Sequence, residues 1–270
     1  MTTRKIYIDS RQAEGTGSDF FLTLKQSVQV PENTVAYIDD VILPNCFQTV
    51  DANRCYVYIS ETVSTATLSF RTQIAHGNYS GIDLAAAVQT ALRQHTSITD
   101  GQYSVNFDVN TALLKITNSS STGSWHLATR AQLLATGTWG GVNFGTNPQD
   151  ANDVIGLNSN AVTTPQTLQL NNMVMLIPFQ NVYLTSSDFG GLKQSQGTNG
   201  ETNILRRIPI DQPWGNLIKS SMNITCDWID VGGTQIDTIG FQLRDPYGRL
   251  CDMKGLHISF AICLINKEIV

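Results

Sequence analysis

The stretch GLHISFAICLI, residues 255–265, decides how this chain is read. Leu256, Ile258, Phe260, Ile262 and Leu264 alternate, the period of a β-strand, which places all five on one buried side. Ala261, Cys263 and Ile265 make its other side apolar as well. A strand with two apolar sides belongs in the middle of a sandwich or beside a neighbouring subunit. Just before it, residues 237–250 (DTIGFQLRDPYGRL) alternate Ile239, Phe241 and Leu243 and then turn. Asp245, Pro246 and Gly248 occupy the first, second and fourth places of that turn, the preferences of type I.

The same alternation recurs along the chain. RKIYID (4–9) reads as a short strand, and FFLTLKQSVQV (20–30) places Phe20, Leu22 and Leu24 on one face. TVAYIDDVILPN (34–45) is a strand stopped by Pro44. Further strands are read at 55–59, 66–70, within 167–187, at 203–211 and within 221–231. Roughly ten or more strands separated by turn signals make an antiparallel sandwich, and a jelly roll is a standard way of closing one.

One segment has a different period. In SGIDLAAAVQTALRQH (80–95), Leu84, Val88, Ala91, Leu92 and His95 form a helical stripe. Ser80 is a natural N-cap with Asp83 three residues on. An alternating hairpin follows, with Tyr103, Val105, Phe107 and Val109 on one face and Leu114 and Ile116 returning. Trp125 and Leu127 share a side of a further short strand, and a short helix is expected over 130–135. The fold class expected is therefore mainly β: a single antiparallel jelly-roll sandwich (1–76 and 161–270) carrying an α/β insertion, helix plus hairpin, at 77–160.

Composition points away from several functions. Of 270 residues only 14% are charged, against about 25% in an average soluble protein. Ser, Thr, Asn and Gln fill the difference, and neutral polar surface is cheaper to desolvate against a neighbour than Lys or Glu. The net charge of −5 argues against coating nucleic acid, and Arg4, Lys5 and Arg11 read as a solvated end. Five scattered cysteines (Cys46, Cys55, Cys226, Cys251 and Cys263) read as reduced, buried thiols and not as a zinc site or disulfide framework. No signal peptide is visible, and the longest apolar run, 173–179, is interrupted by Pro178 and far too short to span a membrane. Without a secretory signal, the sequons at Asn78, Asn118 and Asn223 read as chance matches.

Chemistry is equally hard to place. There is no nucleophile elbow, phosphate loop or zinc helix. The histidines (His76, His95, His126 and His257) stand far apart, and His257 lacks the paired histidine of a metal-dependent sandwich enzyme. Asp39 and Asp40 adjoin in a strand, so they are expected on opposite faces, unable to serve one proton-transfer site. Asp227 and Asp230 read as structural. Asp150, Asn152 and Asp153 lack the glycine and glutamate of a calcium loop. No catalytic, cofactor-binding or metal-binding residue is assigned. Trp214, in IDQPWGN (210–216), reads as a loop residue folded on its own core, with a subunit contact as the alternative.

In order, IYIDSR (6–11), GTGSDFFLTL (15–24), VAYIDDVILPN (35–45), HGNYSGIDLAAAVQTAL (76–92), the 103–117 hairpin, NDVIGLN (152–158), NILRRIPID (203–211) and the segment 241–264 resemble the penton, or minor capsid vertex, proteins of double-jelly-roll-lineage DNA viruses. Virophages, Polinton-like viruses and adintoviruses carry such proteins. The resemblance implies one jelly roll per subunit, a homopentamer at each icosahedral vertex, and contacts with a separate major capsid protein. It also implies a virion protein with no catalytic residue and no cofactor, made in the host cytoplasm or nucleus. The integrin-binding RGD of adenovirus-type pentons is missing. The Gly-rich loop at 186–203 and an N-terminal arm, 1–18, are expected to contact neighbours or the shell. The alternative is a receptor- or carbohydrate-binding jelly-roll module of fibre-head or lectin type; an enzyme on a β-sandwich comes third.

Overall fold

The computed structural model describes residues 4–94, 102–120, 123–157, 167–189, 203–221 and 228–266. The chain begins with strands β1 (Arg4–Asp9), β2 (Glu14–Gly15), β3 (Asp19–Gln29) and β4 (Thr34–Pro44). Next come β5 (Tyr56–Val63), β6 (Ala66–Gln73), helix α1 (Gly81–Gln94), β7 (Tyr103–Asp108), β8 (Leu113–Asn118) and β9 (Gly123–Leu127). Then follow α2 (Arg130–Thr136), β10 (Thr138–Trp139), β11 (Val142–Asn143), α3 (Asn152–Ile155) and β12 (Thr167–Gln169). The last run is β13 (Asn181–Thr185), β14 (Ile204–Pro209), β15 (Leu217–Ser220), β16 (Ile229–Asp230), β17 (Gln235–Arg244) and β18 (Ser259–Asn266).

These elements divide into two compact units, 1–47 with 179–270, and 48–178. The first is the sandwich. One sheet has the order β1-β18-β4-β15, with β16 also on β4; the other runs β14-β13-β17-β3-β2. Leaving aside the two-residue strands β2 and β16, eight strands remain, and their pairing is regular. The first pairs with the eighth (β1 with β18), the second with the seventh (β3 with β17), the third with the sixth (β4 with β15) and the fourth with the fifth (β13 with β14), all antiparallel. That is a long hairpin rolled over itself into two sheets, the jelly roll. The second unit is inserted between its third and fourth strands.

Alternation fills the sandwich. Ile236, Ile239, Phe241 and Leu243 of β17, and Phe260, Ile262 and Leu264 of β18, join Phe20, Ile38 and Leu43 in one core. Phe241 stacks against Phe20 and Phe260, with ring centroids 5.5 and 5.0 Å away. On the far side of β18, Ala261 and Cys263 are buried too, so both faces of this strand are covered as its sequence requires. Leu256 departs from the expected pattern and is exposed. Lys254 and Gly255 just before it turn the chain with φ of 53° and 77°, and β18 begins only at Ser259. The alternation therefore loses its register below Ile258.

The inserted unit has a core of its own. Its sheets run β6-β5-β9 and β12-β8-β7, with the β10–β11 hairpin beside them. Leu84, Val88, Ala91 and Leu92 of α1 are buried there, while His95 lies outside the described residues. The Ser80 hydroxyl accepts from Asp83 N–H at 3.2 Å and donates to the Asp83 carboxylate at 2.7 Å. α2 forms where expected, capped by Thr129 and Gln132. Val109 is exposed and not on the strand face, because β7 ends at Asp108, whose carboxylate folds the tip by accepting Asn110 N–H.

The bounds of this unit fall wider than 77–160. β5 lies between β6 and β9 in a sheet separate from the sandwich, and Val57 and Ile59 belong to the core of the insertion. Arg54 closes its ends. The guanidinium donates to the carbonyls of Gln48 (3.3 Å) and Pro178 (3.1 Å), the first and last residues of the unit, and to Asp51 at 2.8 Å.

Candidate assembly surface

In the first sheet Val41, Leu43 and Ile218 point into the core, so their neighbours Ile42, Pro44 and Leu217 point outward. Ile42 is 40% exposed, Leu217 53% and Leu256 45%, all large apolar side chains in contact with solvent. With Pro44, Asp9, Arg11, His257, Ile258 and Ser259 they line an open cleft of about 420 Å³. It lies where β1 and β4 end and β15 and β18 begin. An apolar hollow with a polar rim is the usual anatomy of a contact site.

The rim is fixed by local bonds. Arg11 binds the Asp9 carboxylate through Nε and Nη2 and holds its carboxyl below the usual range. His257 Nδ1 lies 3.1 Å from Ser10 Oγ, and Ile258 N–H donates to that same oxygen. The histidine is thus a rim residue. Among the described residues no three His, Cys, Asp or Glu side chains cluster as metal ligands.

Asp39 and Asp40 contradict the expectation drawn from simple alternation. Both carboxylates lie 3.3 Å from the Lys5 ammonium. Asp40 has a left-handed φ of 51°, and the pairing of β4 with β18 slips between Ser259 and Ala261. A bulge inserts one extra residue, so two successive side chains reach the same side. Lys5 is accordingly an ion-pair partner in a paired strand and not a loose basic end. The described part of the expected N-terminal arm is not uncored. Residues 4–9 pair along their whole length with β18, Ile8 is core, and Ser10 and Ser18 are buried.

At the same end, the second sheet carries a rigid turn. Asp245 Oδ1 accepts N–H from Tyr247 and Arg249, both at 2.9 Å, and Oδ2 accepts from Arg249 Nε at 2.8 Å. Arg244 binds the carbonyl of Gly248. The Arg249 guanidinium lies 4.9 Å from the centroid of the Tyr247 ring, and Tyr247 itself is 57% exposed. The chain then returns along β17 with Cys251 N–H on the carbonyl of Leu243. The sequence shows the turn; the role of Arg249, four residues after the aspartate it binds, is the signal missed there. Trp214, half exposed in the turn before β15, is not folded onto the core.

Other singled-out residues are structural. Asp150 is buried, paired with Arg130 at 2.8 Å, and accepts Asn152 N–H; burial pushes its carboxyl above the usual range. Asn152 donates to the carbonyl of Ala128. Asn118 is buried and closed to a glycan. Cys46, Cys55, Cys251 and Cys263 are buried and free. Burial pushes the Cys46 and Cys55 thiols up to about 11, so they carry no reactive thiolate at neutral pH. Asp230 accepts Gly232 N–H. Asp227, Cys226, Asn223 and residues 190–202 of the Gly-rich loop lie outside the described residues. No helix among the described residues is long and apolar enough to cross a membrane. Unforeseen is Glu61, wholly buried on β5, which accepts the Tyr103 hydroxyl at 2.7 Å.

No protein-family model matches the chain, and no curated protein matches it. Solved structures do. The mavirus penton protein superposes with a TM-score of 0.52 at 10% identity, over 97% of this chain and 99% of that one. A chain in the cryo-EM structure of the Sputnik virophage matches with a TM-score of 0.48 at 11% identity, over 99% and 98%. The chain has the fold of the mavirus penton protein, end to end.

Proposed function

We propose that the protein is a structural subunit of a viral capsid, of the penton type, with five copies forming a ring at an icosahedral vertex and a major capsid protein meeting its rim. The observation that carries this reading is the extent of the likeness. Jelly rolls host many functions, so a sandwich alone would argue little. Here sandwich and inserted unit together are spanned, 97% of this chain against 99% of the mavirus penton protein. The low charge and the apolar cleft on an outer sheet face support the same reading, since both suit a surface that becomes covered.

A closed ring of identical subunits uses heterologous contacts, each copy offering two different patches. The test is direct imaging of the purified chain by negative-stain electron microscopy. Ring-shaped class averages with five-fold symmetry are expected. Three-fold particles would replace the proposal with the receptor- or carbohydrate-binding alternative.

A further inference from the structure

The core of the inserted unit holds two hydrogen-bond donors that no protein atom meets. Trp125 Nε1 on β9 and Asn118 Nδ2 on β8 are buried without a partner, in side chains that are each 1% exposed. A bare buried donor costs free energy, and nearly all such groups in native proteins find a protein or water oxygen. Turning the Asn118 amide over does not help. Its Oδ1 accepts Ser120 N–H at 2.8 Å, which fixes the two ends of the amide.

Both donors border the Glu61–Tyr103 pair. Trp125 is the cross-strand partner of Glu61, and its ring meets that of Tyr103 edge to face, with centroids 5.4 Å apart. Asn118 is the cross-strand partner of Tyr103. Burial pushes the Tyr103 hydroxyl well up, Glu61 adds to the push, and the Asn118 amide lies near enough to oppose it. The hydroxyl donates to Glu61 at 2.7 Å. Glu61 and Trp125 belong to the sheet β6-β5-β9, Tyr103 and Asn118 to the sheet β12-β8-β7. The four side chains thus gather polar atoms from both sheets inside an otherwise apolar core.

The chemistry of the group narrows what satisfies it. Two N–H donors repel a metal cation, and the Glu61 carboxyl repels an anion. An apolar occupant leaves both donors bare. A water oxygen accepts from both N–H groups and has protons to give, and a carboxyl offers more lone pairs than one hydroxyl fills. We infer that a structural water molecule is built into the core of the inserted unit, held by Trp125 Nε1–H and Asn118 Nδ2–H and donating to Glu61. About three hydrogen bonds is the ordinary complement of a buried water. This one acts as a strut between the two sheets, and it supplies the fully buried Glu61 with a polar neighbour that no nearby side chain replaces.

The test is a high-resolution crystal structure of the whole chain. A solvent peak within about 3.2 Å of both nitrogens and of a Glu61 oxygen is expected. Nitrogens bonded directly to Glu61 or Tyr103, or bare with no peak between them, overturn the site. A second measurement works in solution. Replacing Trp125 by its benzothiophene isostere keeps the shape of the ring and removes only the N–H. An N–H bound to water makes this replacement lower hydrogen-exchange protection in β5 and β7 about 5- to 10-fold, the worth of one ordinary hydrogen bond. A bare N–H is lost at no cost, so protection that stays the same or rises overturns the inference.

Discussion

The sandwich and the inserted unit keep their ionisable groups in different places. In the sandwich the buried ones, Asp245 and Arg206, stand at a turn and on the edge strand β14. Asp245 holds a turn, and Arg206 reaches from the edge strand β14 to Ser220 Oγ (3.2 Å) and the Ser221 carbonyl (2.8 Å). Its interior is apolar and aromatic. In the insertion, Glu61 stands midway along β5, fully buried, opposite Trp125 and bonded by Tyr103. Asp150 and Arg54 are buried there too. A core of stacked apolar side chains tolerates volume-conserving change, whereas a buried polar group depends on each of its partners. The two units should therefore fail for different reasons.

The largest effect is expected in the sandwich. Phe241→Ala removes the ring between Phe20 and Phe260 and should cost about 3–5 kcal/mol. Hydrogen exchange should show lost protection in β3, β17 and β18, with that of β5 and β8 retained. Equal loss in both units would mean that the two cores unfold as one. Next, Arg54→Met leaves Asp51 and the two end carbonyls without their donor; breaking such a buried pair costs about 3 kcal/mol. Here protection should fall in β5 through β9 first. Tyr103→Phe takes from Glu61 one hydrogen bond and should cost about 1–3 kcal/mol, where the same change at a solvent-exposed tyrosine would be near neutral.

The smallest effect is that of acid; the insertion holds Asp108 low through Asn110 N–H and Thr111, and sets against it one carboxyl raised by burial. Asp9 and Asp252 of the sandwich are held low, mainly by Arg11 and Lys254. Their contribution is present above the ordinary carboxylate range and is lost as pH falls through the depressed folded values. Asp150 of the insertion is pushed up by burial, so its contribution is present below the unfolded value and lost as pH rises through the raised one. Between about pH 5 and 3, exchange protection should decline in the sandwich before the insertion.

How far the sequence led can be seen at single positions. Phe241, Phe260 and Ile262 alternate over unbroken strands, and period two placed them correctly in the core. Leu84, Val88 and Leu92 were equally plain on their helix. Alternation failed where the backbone departs from the regular pleat: at the Asp40 bulge, after the Lys254–Gly255 turn, and at the Val109 tip. The bounds of the insertion were hidden for another reason. β5 and β6 alternate like any strand, and only the long-range pairing of β5 with β9 reveals that they lie in a sheet separate from the sandwich. The cleft gave no local signal, because Ile42, Leu217 and Leu256 come from three distant segments. The Tyr247 turn was half legible, through Asp245, Pro246 and Gly248.

The central claim, a ring-forming capsid subunit, is tested most directly by native mass spectrometry of the purified chain over a range of concentrations. A species of five times the 29.6 kDa subunit mass is predicted. A monomer at every concentration, or a species of three times that mass, would contradict it.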